Sequence, residues 1–260
     1  MSKSDLEIAT EAAIGAGEIL SEFWLNRDSL NISSKSPGDF VSQADLQAEE
    51  HLKKHLLGAD SNYGWLGEET GETSGFSKRW IVDPLDGTTN FLRGIPQWAV
   101  SVALEVEGQL VLGVVHDPIK QETFSAEIGK GASCNGIAIE VSNTEILSSA
   151  LFGTGIPFGD TDTIDQHAAE IASLMPHCAG VRRLGSAALD LAYVANGRFD
   201  GFWEHKLQIW DIAAGLVILR EAGGMVTGWS KQEASEQHGN VICATPKLFD
   251  DFFEIITSAN

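Results

Sequence analysis

Asp83, Asp86, Thr88 and Thr89 are the residues of this chain best placed to do chemistry, because of the stretch that carries them: Trp80-Ile81-Val82-Asp83-Pro84-Leu85-Asp86-Gly87-Thr88-Thr89-Asn90-Phe91. The three large apolar residues read as the end of a buried strand. Pro84 cannot continue a ladder and restricts the residue before it, so the strand is expected to stop at Asp83. Asp86-Gly87-Thr88-Thr89 reads as a turn able to open a helix. Two carboxylates then stand where a strand ends and the backbone bends back, so both can point into one pocket that the Leu85 carbonyl also reaches. Hard oxygen ligands of this kind suit Mg²⁺. Backbone N–H groups after Gly87 suit a phosphate. An ordinary turn uses the same residue types, so the short Asp-Pro-x-Asp-Gly string does not choose between the readings.

The full stretch does choose. It closely resembles the signature of the inositol monophosphatase family, and three further segments match that family in order. Tyr63-Gly64-Trp65-Leu66-Gly67-Glu68-Glu69-Thr70 is a short apolar strand ending in two acids. Gly185-Ser186-Ala187-Ala188 opens a helix with small residues. Phe202-Trp203-Glu204-His205-Lys206-Leu207-Gln208-Ile209-Trp210-Asp211 places a Trp-Asp pair before another small-residue helix. The resemblance covers essentially the whole chain.

What it implies is specific. Glu68, Asp83, the Leu85 carbonyl, Asp86 and Asp211 would hold two to three Mg²⁺ ions. Glu68, Thr88 and Asp45 would act in catalysis, with Thr88 backed by Asp45 orienting or deprotonating a water. One ion would acidify that water and another would stabilise the leaving alkoxide. Gly87, Thr88, Asp86, Ala187 and Glu204 would contact substrate, Glu204 through its hydroxyls. Lys35 would belong to a mobile loop closing over the site. Glu69 is expected to be structural, His205 to be an exposed loop residue, and Gln208 stands where the family often has His. The reaction implied is hydrolysis of myo-inositol monophosphate, inhibited by Li⁺, with inversion at phosphorus. The same chemistry on histidinol phosphate, fructose 1,6-bisphosphate or another sugar phosphate is the nearest alternative. A regulatory binding protein retaining the fold is the alternative of another class.

The bulk properties agree. The 260 residues are 43% hydrophobic and 21% charged, enough for a substantial core. No apolar run approaches the roughly 18 residues of a membrane span. The first residues show no signal-peptide pattern. Cys134, Cys178 and Cys243 are far apart, which fits a reducing cytoplasm and no disulfide scaffold. A formal net charge of −20 repels nucleic acid. It would repel an anionic substrate too unless cations sat in the site, although solubility alone also accounts for it. G-x-S-x-G, H-E-x-x-H and Walker A strings are absent.

The elements that must position these residues follow from periodicity. A helix is expected over 4–25, opened by a Ser4/Glu7 capping box, with Gly15 and Gly17 inside it. A loop at Pro37-Gly38 precedes a helix from the Ser42/Asp45 box to about Leu57. Residues 70–79 read as a polar loop. Strands at 98–106 and 110–115 make a hairpin with one buried face, and another strand runs 122–126. From 150 on, strands and helices alternate: strands at 150–155, 181–183, 199–203, 224–227 and 240–244, helices at 162–175, 186–196, 210–222 and 246–258. The resemblance implies an α/β fold, a layered αβαβα sandwich of the inositol monophosphatase and fructose-1,6-bisphosphatase type. It reads as one domain over 1–260, with a soft division near 145 between an α+β half and an α/β half. The resemblance also implies a homodimer.

Overall fold

Ser4 opens the first helix as its neighbours dictate. In the computed structural model, its Oγ accepts from the Glu7 N–H while the Glu7 carboxylate accepts from the Ser4 N–H at 2.8 Å. The structure describes residues 3–27, 32–36, 39–59, 62–73, 77–156 and 163–259, with backbone alone at 32–36, 39–41 and 59. Helix α1 (Asp5–Leu25) packs against α2 (Gln43–Ala59) through small residues, Ala9, Ala12, Ala13 and Ala16. Between them β1 (Ile32–Ser36) and β2 (Asp39–Ser42) pair antiparallel, where only a loop was expected. The expected Pro37-Gly38 loop lies outside the described residues.

The next nine elements build the first sheet and one short helix. They are β3 (Gly64–Gly67), β4 (Gly71–Thr73), β5 (Lys78–Asp86), α3 (Thr88–Arg93), β6 (Ala99–Val106), β7 (Gln109–Asp117), β8 (Glu122–Glu127), β9 (Ala132–Cys134) and β10 (Ile137–Ile139). The sheet runs β10-β9-β8-β7-β6-β5-β3-β4. β4 falls inside the stretch expected to be a loop. It pairs with β3 in register Trp65↔Thr73.

Two sequence expectations fail here for physical reasons. β5 does not stop at Asp83 but continues to Asp86. Its pairing with β6 skips from Asp83↔Ser101 to Asp86↔Ala99, so Pro84 sits in a bulge where its missing N–H is not needed. The β6–β7 hairpin is buried on both faces, not one. Val100, Val102 and Leu104 face α1 and α2, while Ala99 and Ala103 face the helices on the far side. Those small residues resemble a solvated face in sequence. Gly113 shows why they are small: a Cβ there would lie 2.3 Å from the Ala214 carbonyl oxygen.

The remaining elements are β11 (Leu151–Thr154), α4 (Ile164–Leu174), β12 (Gly180–Arg182), α5 (Ala187–Ala195), β13 (Gly201–Glu204), α6 (Ile209–Glu221), β14 (Met225–Thr227), α7 (Ser235–His238), β15 (Val241–Ala244) and α8 (Pro246–Thr257). The second sheet runs β12-β11-β13-β15-β14. Three apolar cores define the layers. One lies between α1/α2 and the first sheet, one holds α5 and α6 between the two sheets, and one packs the second sheet against α4 and α8. The result is the expected αβαβα order. Among the described residues no helix is long and apolar enough to cross a membrane.

Candidate active site

The ends of β3, β5 and β13 and the N-termini of α2, α3, α5 and α6 carry the candidate residues. Asp83 is buried in β5, and its Oδ1 accepts from the Leu85 N–H at 2.9 Å. That contact folds the bulge back on itself. Asp86 closes the strand, and its Oδ2 accepts from the Ser186 Oγ at 2.6 Å and the Ala188 N–H at 2.8 Å. Asp211 lies in the first turn of α6 and accepts from the Gln208 N–H at 2.7 Å, in the manner of a capping box. Ser101 of β6 donates to the Trp210 carbonyl and ties that turn to the first sheet.

Gly87 follows Asp86 with φ 95°, a left-handed conformation that suits glycine. A Cβ there would also lie 3.0 Å from the Gln97 carbonyl oxygen. The turn delivers Thr88 to the start of α3. Its Oγ1 sits 3.1 Å from the Leu85 carbonyl and 3.4 Å from Asp45 Oδ1. Asp45 is buried at the start of α2, where its Oδ2 accepts from the Ser42 N–H and hydroxyl.

Glu68 is placed by a residue that the sequence did not flag. Glu49, buried one turn along α2 from Asp45, accepts from the Glu69 N–H at 2.8 Å and the Thr70 N–H at 2.9 Å. That grip fixes the turn carrying Glu68. Glu69 thus serves through its backbone. Asn90, within the same motif as Asp83 and Thr88, carries no local sign of its role. Its amide donates to the carbonyls of Gln97 and Leu184, both at 2.8 Å, joining α3 to the segment that leads into Ala187. Ala187 is buried at the start of α5. Lys35 lies in β1, and its side chain is outside the described residues.

Glu204 ends β13 against Gly155. A Cβ on Gly155 would lie 2.0 Å from the Glu204 carboxyl, so only glycine leaves room for it. His205 departs from expectation: it is buried, bonded to Glu170 at 2.7 Å, with its ring 3.6 Å from that of Trp229. Nothing in the local sequence around either residue pairs His205 with a helix that precedes it in the chain.

The electrostatics bind these groups into one site. Burial, then the charges of Glu68, Asp86 and Asp211, push Asp83 well above the usual carboxylate range. Burial, then Asp86, Glu68 and Glu204, do the same to Asp211. Burial raises Asp86 to about 6 despite the Ser186 and Ala188 bonds. It also raises Asp45 to about 6 and Glu204 to about 8. Among the described residues no three His, Cys, Asp or Glu side chains are gathered as a ready ion cage. The neighbours acting on Asp83 are nonetheless other carboxylates rather than cations. Such a donor set, all hard oxygen and mutually repelling, fits a divalent cation such as Mg²⁺.

The chain is similar to known proteins over nearly its full length. The family model described as "Inositol monophosphatase family" matches residues 1–258. An inositol-1-monophosphatase of Rhizobium meliloti is 44% identical, with 96% of this chain and 95% of the relative covered. A protein named Nus factor SuhB from Pseudomonas aeruginosa is 40% identical, with 94% and 92% covered. The crystal structure of extragenic suppressor protein suhB from Bartonella henselae superposes with a TM-score of 0.93 at 42% identity, covering 96% of this chain and 97% of that one. Motif order, layered fold and whole-length similarity agree, and the chain belongs to the inositol monophosphatase family, a family of phosphatases.

Proposed function

We propose that this phosphatase hydrolyses a polyol phosphomonoester, with myo-inositol monophosphate the best-fitting substrate. What supports the reading is the mutual repulsion among Glu68, Asp83, Asp86 and Asp211, together with the Thr88–Asp45 pair and with Glu204 within electrostatic reach of Asp86. Glu68, Asp83, the Leu85 carbonyl, Asp86 and Asp211 would hold two to three Mg²⁺ ions. When bound, such ions supply positive charge that acidifies water and neutralises phosphate.

The chain's own groups do the rest. The Gly87 and Thr88 N–H groups, at the start of α3, hold phosphate oxygens. The Thr88 hydroxyl has acceptors on two sides, Asp45 and the Leu85 carbonyl. Its proton is directed to one of them, so its lone pairs face the pocket and orient the attacking water in line with the scissile P–O bond. Water oxygen bonds to phosphorus as the ester P–O bond breaks, with inversion and no phosphoenzyme; the water gives up a proton to solvent and the departing oxygen takes one from solvent, so alcohol and inorganic phosphate leave. Glu204 and Ala187 line the alcohol side, where Glu204 meets substrate hydroxyls. Li⁺ inhibition, a homodimer and a cytoplasmic location complete the reading.

Phosphate release tests this. The panel holds inositol 1-phosphate, histidinol phosphate, fructose 1,6-bisphosphate and a nucleotide monophosphate, each with Mg²⁺, with EDTA and with added Li⁺. Preference for inositol 1-phosphate, abolished by EDTA, is expected. Metal-dependent release from another member would keep the chemistry and replace the substrate. The relatives named Nus factor SuhB support a second reading, a regulatory binding role. Asp86→Asn separates the two: cellular function that survives the loss of turnover favours the second.

A further inference from the structure

Glu204 ends its strand with little to hold it. On one edge β13 pairs with β15 through Glu204↔Val241. On the other edge the ladder with β11 stops one residue earlier, at Thr154↔Trp203. Beyond Glu204 the chain turns through Lys206, whose φ is 57°. A carboxylate meant to meet substrate hydroxyls therefore sits at a half-paired strand end, which frays unless something else fixes it.

That something comes from α4. Side chains alternate along a strand, so Trp203 points away from the face that Glu204 presents, and His205, just past the strand end, reaches the same side as Trp203. Both meet one group. Glu170 is fully buried, and its Oε2 accepts from Trp203 Nε1 at 3.0 Å while its Oε1 lies 2.7 Å from His205 Nε2. One carboxylate thus bridges the residues on either side of Glu204. Thr154 adds a bond to the Trp203 carbonyl at 2.9 Å, and His167 Nδ1 lies 3.3 Å from Glu170 Oε2. Trp229 closes over the His205 ring.

Stability alone does not call for this arrangement. A buried charged cluster costs desolvation, and apolar residues of similar size often serve a core as well. Its distinctive product is geometric: two side-chain bonds to one rigid carboxylate tether the residues on both sides of Glu204. We infer that Glu170 is a positioning residue that sets the reach of Glu204, and so the selectivity of the site for polyhydroxylated phosphate esters. This rests on the proposed role of Glu204.

The test compares inositol 1-phosphate with p-nitrophenyl phosphate, whose alcohol offers no further hydroxyl, in the Mg²⁺-loaded protein. The variants are Glu170→Leu, Glu170→Gln and Trp203→Phe, each checked for folding by circular dichroism. Glu170→Leu is expected to raise KM for inositol 1-phosphate about tenfold and leave kcat/KM for p-nitrophenyl phosphate within about twofold. Glu170→Gln, which can still accept from Trp203 and donate to His205, should stay within about threefold of wild type on both. Trp203→Phe removes one of the two bonds and keeps the ring, so it should raise the inositol 1-phosphate KM by a smaller factor, about threefold. A folded Glu170→Leu protein with unchanged KM, or with equal losses on both esters, overturns the inference. If that variant does not fold, an unchanged KM in Trp203→Phe overturns it. A wild-type protein that does not prefer the inositol ester overturns the reading of Glu204 itself, and this inference with it.

Discussion

Ser186 Oγ donates to Asp86 Oδ2 at 2.6 Å, joining the end of β5 to the first turn of α5. The same hydroxyl accepts from the Leu189 N–H and caps that helix. One side chain thus fixes a proposed metal ligand from the first sheet against the proposed substrate segment of the second half. Ser186→Ala should lower stability by about 1–2 kcal/mol, from the lost cap and a lost bond to a charged acceptor. It should also lower kcat/KM roughly tenfold, because Asp86 loses its shortest anchor. Urea unfolding and steady-state kinetics check the two effects separately.

Gly155 should separate folding from recognition. A Cβ there would strike the Glu204 carboxyl at 2.0 Å, but that carboxyl is the far end of a flexible side chain. Gly155→Ala is therefore expected to cost only about 1 kcal/mol in stability while raising KM for inositol 1-phosphate on the order of tenfold. A melting temperature that falls far more than KM rises would show that the glycine serves the backbone instead.

The carboxylate cluster predicts how the protein answers to metal removal. Asp83 and Asp211 repel their neighbours, so the metal-free protein carries a charge cost that a divalent cation removes. Adding Mg²⁺ at about a hundred times its Kd should stabilise by about 2.7 kcal/mol, read as a melting temperature higher by roughly 5–10 °C. In EDTA, Asp211→Asn should melt above wild type because one repelling charge is gone. With Mg²⁺ the order should reverse, because a ligand is gone. Differential scanning fluorimetry reads all four conditions without using turnover.

Glu170 predicts an acid limb. Burial alone would raise its carboxyl, but His167 and His205 beside it and the bond from Trp203 overcome burial and hold it down, from 4.5 to about 2. A carboxylate depressed in the folded state contributes stability above its unfolded pKa and loses it as pH falls through the folded one. That contribution is therefore intact above pH 4.5 and is lost between there and about pH 2. Glu170→Gln cannot titrate, so its melting temperature should fall less over that window than wild type does. Parallel melting curves for the two proteins would sink the idea.

The candidate site was legible as a series of family motifs in order along the chain. Asp83, Asp86, Thr88, Glu68, Glu204 and Asp211 each sit in a short string whose residue types are dictated by a strand end, a tight turn or a helix start. Those are local properties, and sequence carries them directly. The Ser4/Glu7 and Ser42/Asp45 boxes were readable for the same reason: the bonding groups lie three residues apart. The α/β class came with the family resemblance, and the alternation of strands and helices after residue 150 agreed with it.

What sequence could not carry was anything set by residues distant in the chain. Pro84 reads as a strand end, and only the β6 register shows the bulge that lets β5 pass through it. The Ala99, Ala103 and Gly113 face reads as solvated, and only the approach of α6 shows it to be buried. His205 reads as a loop residue until α4 brings Glu170 against it. The chemistry of this protein is written in local strings, because strand ends and helix starts present ligands by short-range geometry. The grip on that chemistry, through Glu49, Asn90, Ser186 and Glu170, is decided by tertiary structure, because a buried polar group must find its partner wherever packing puts one.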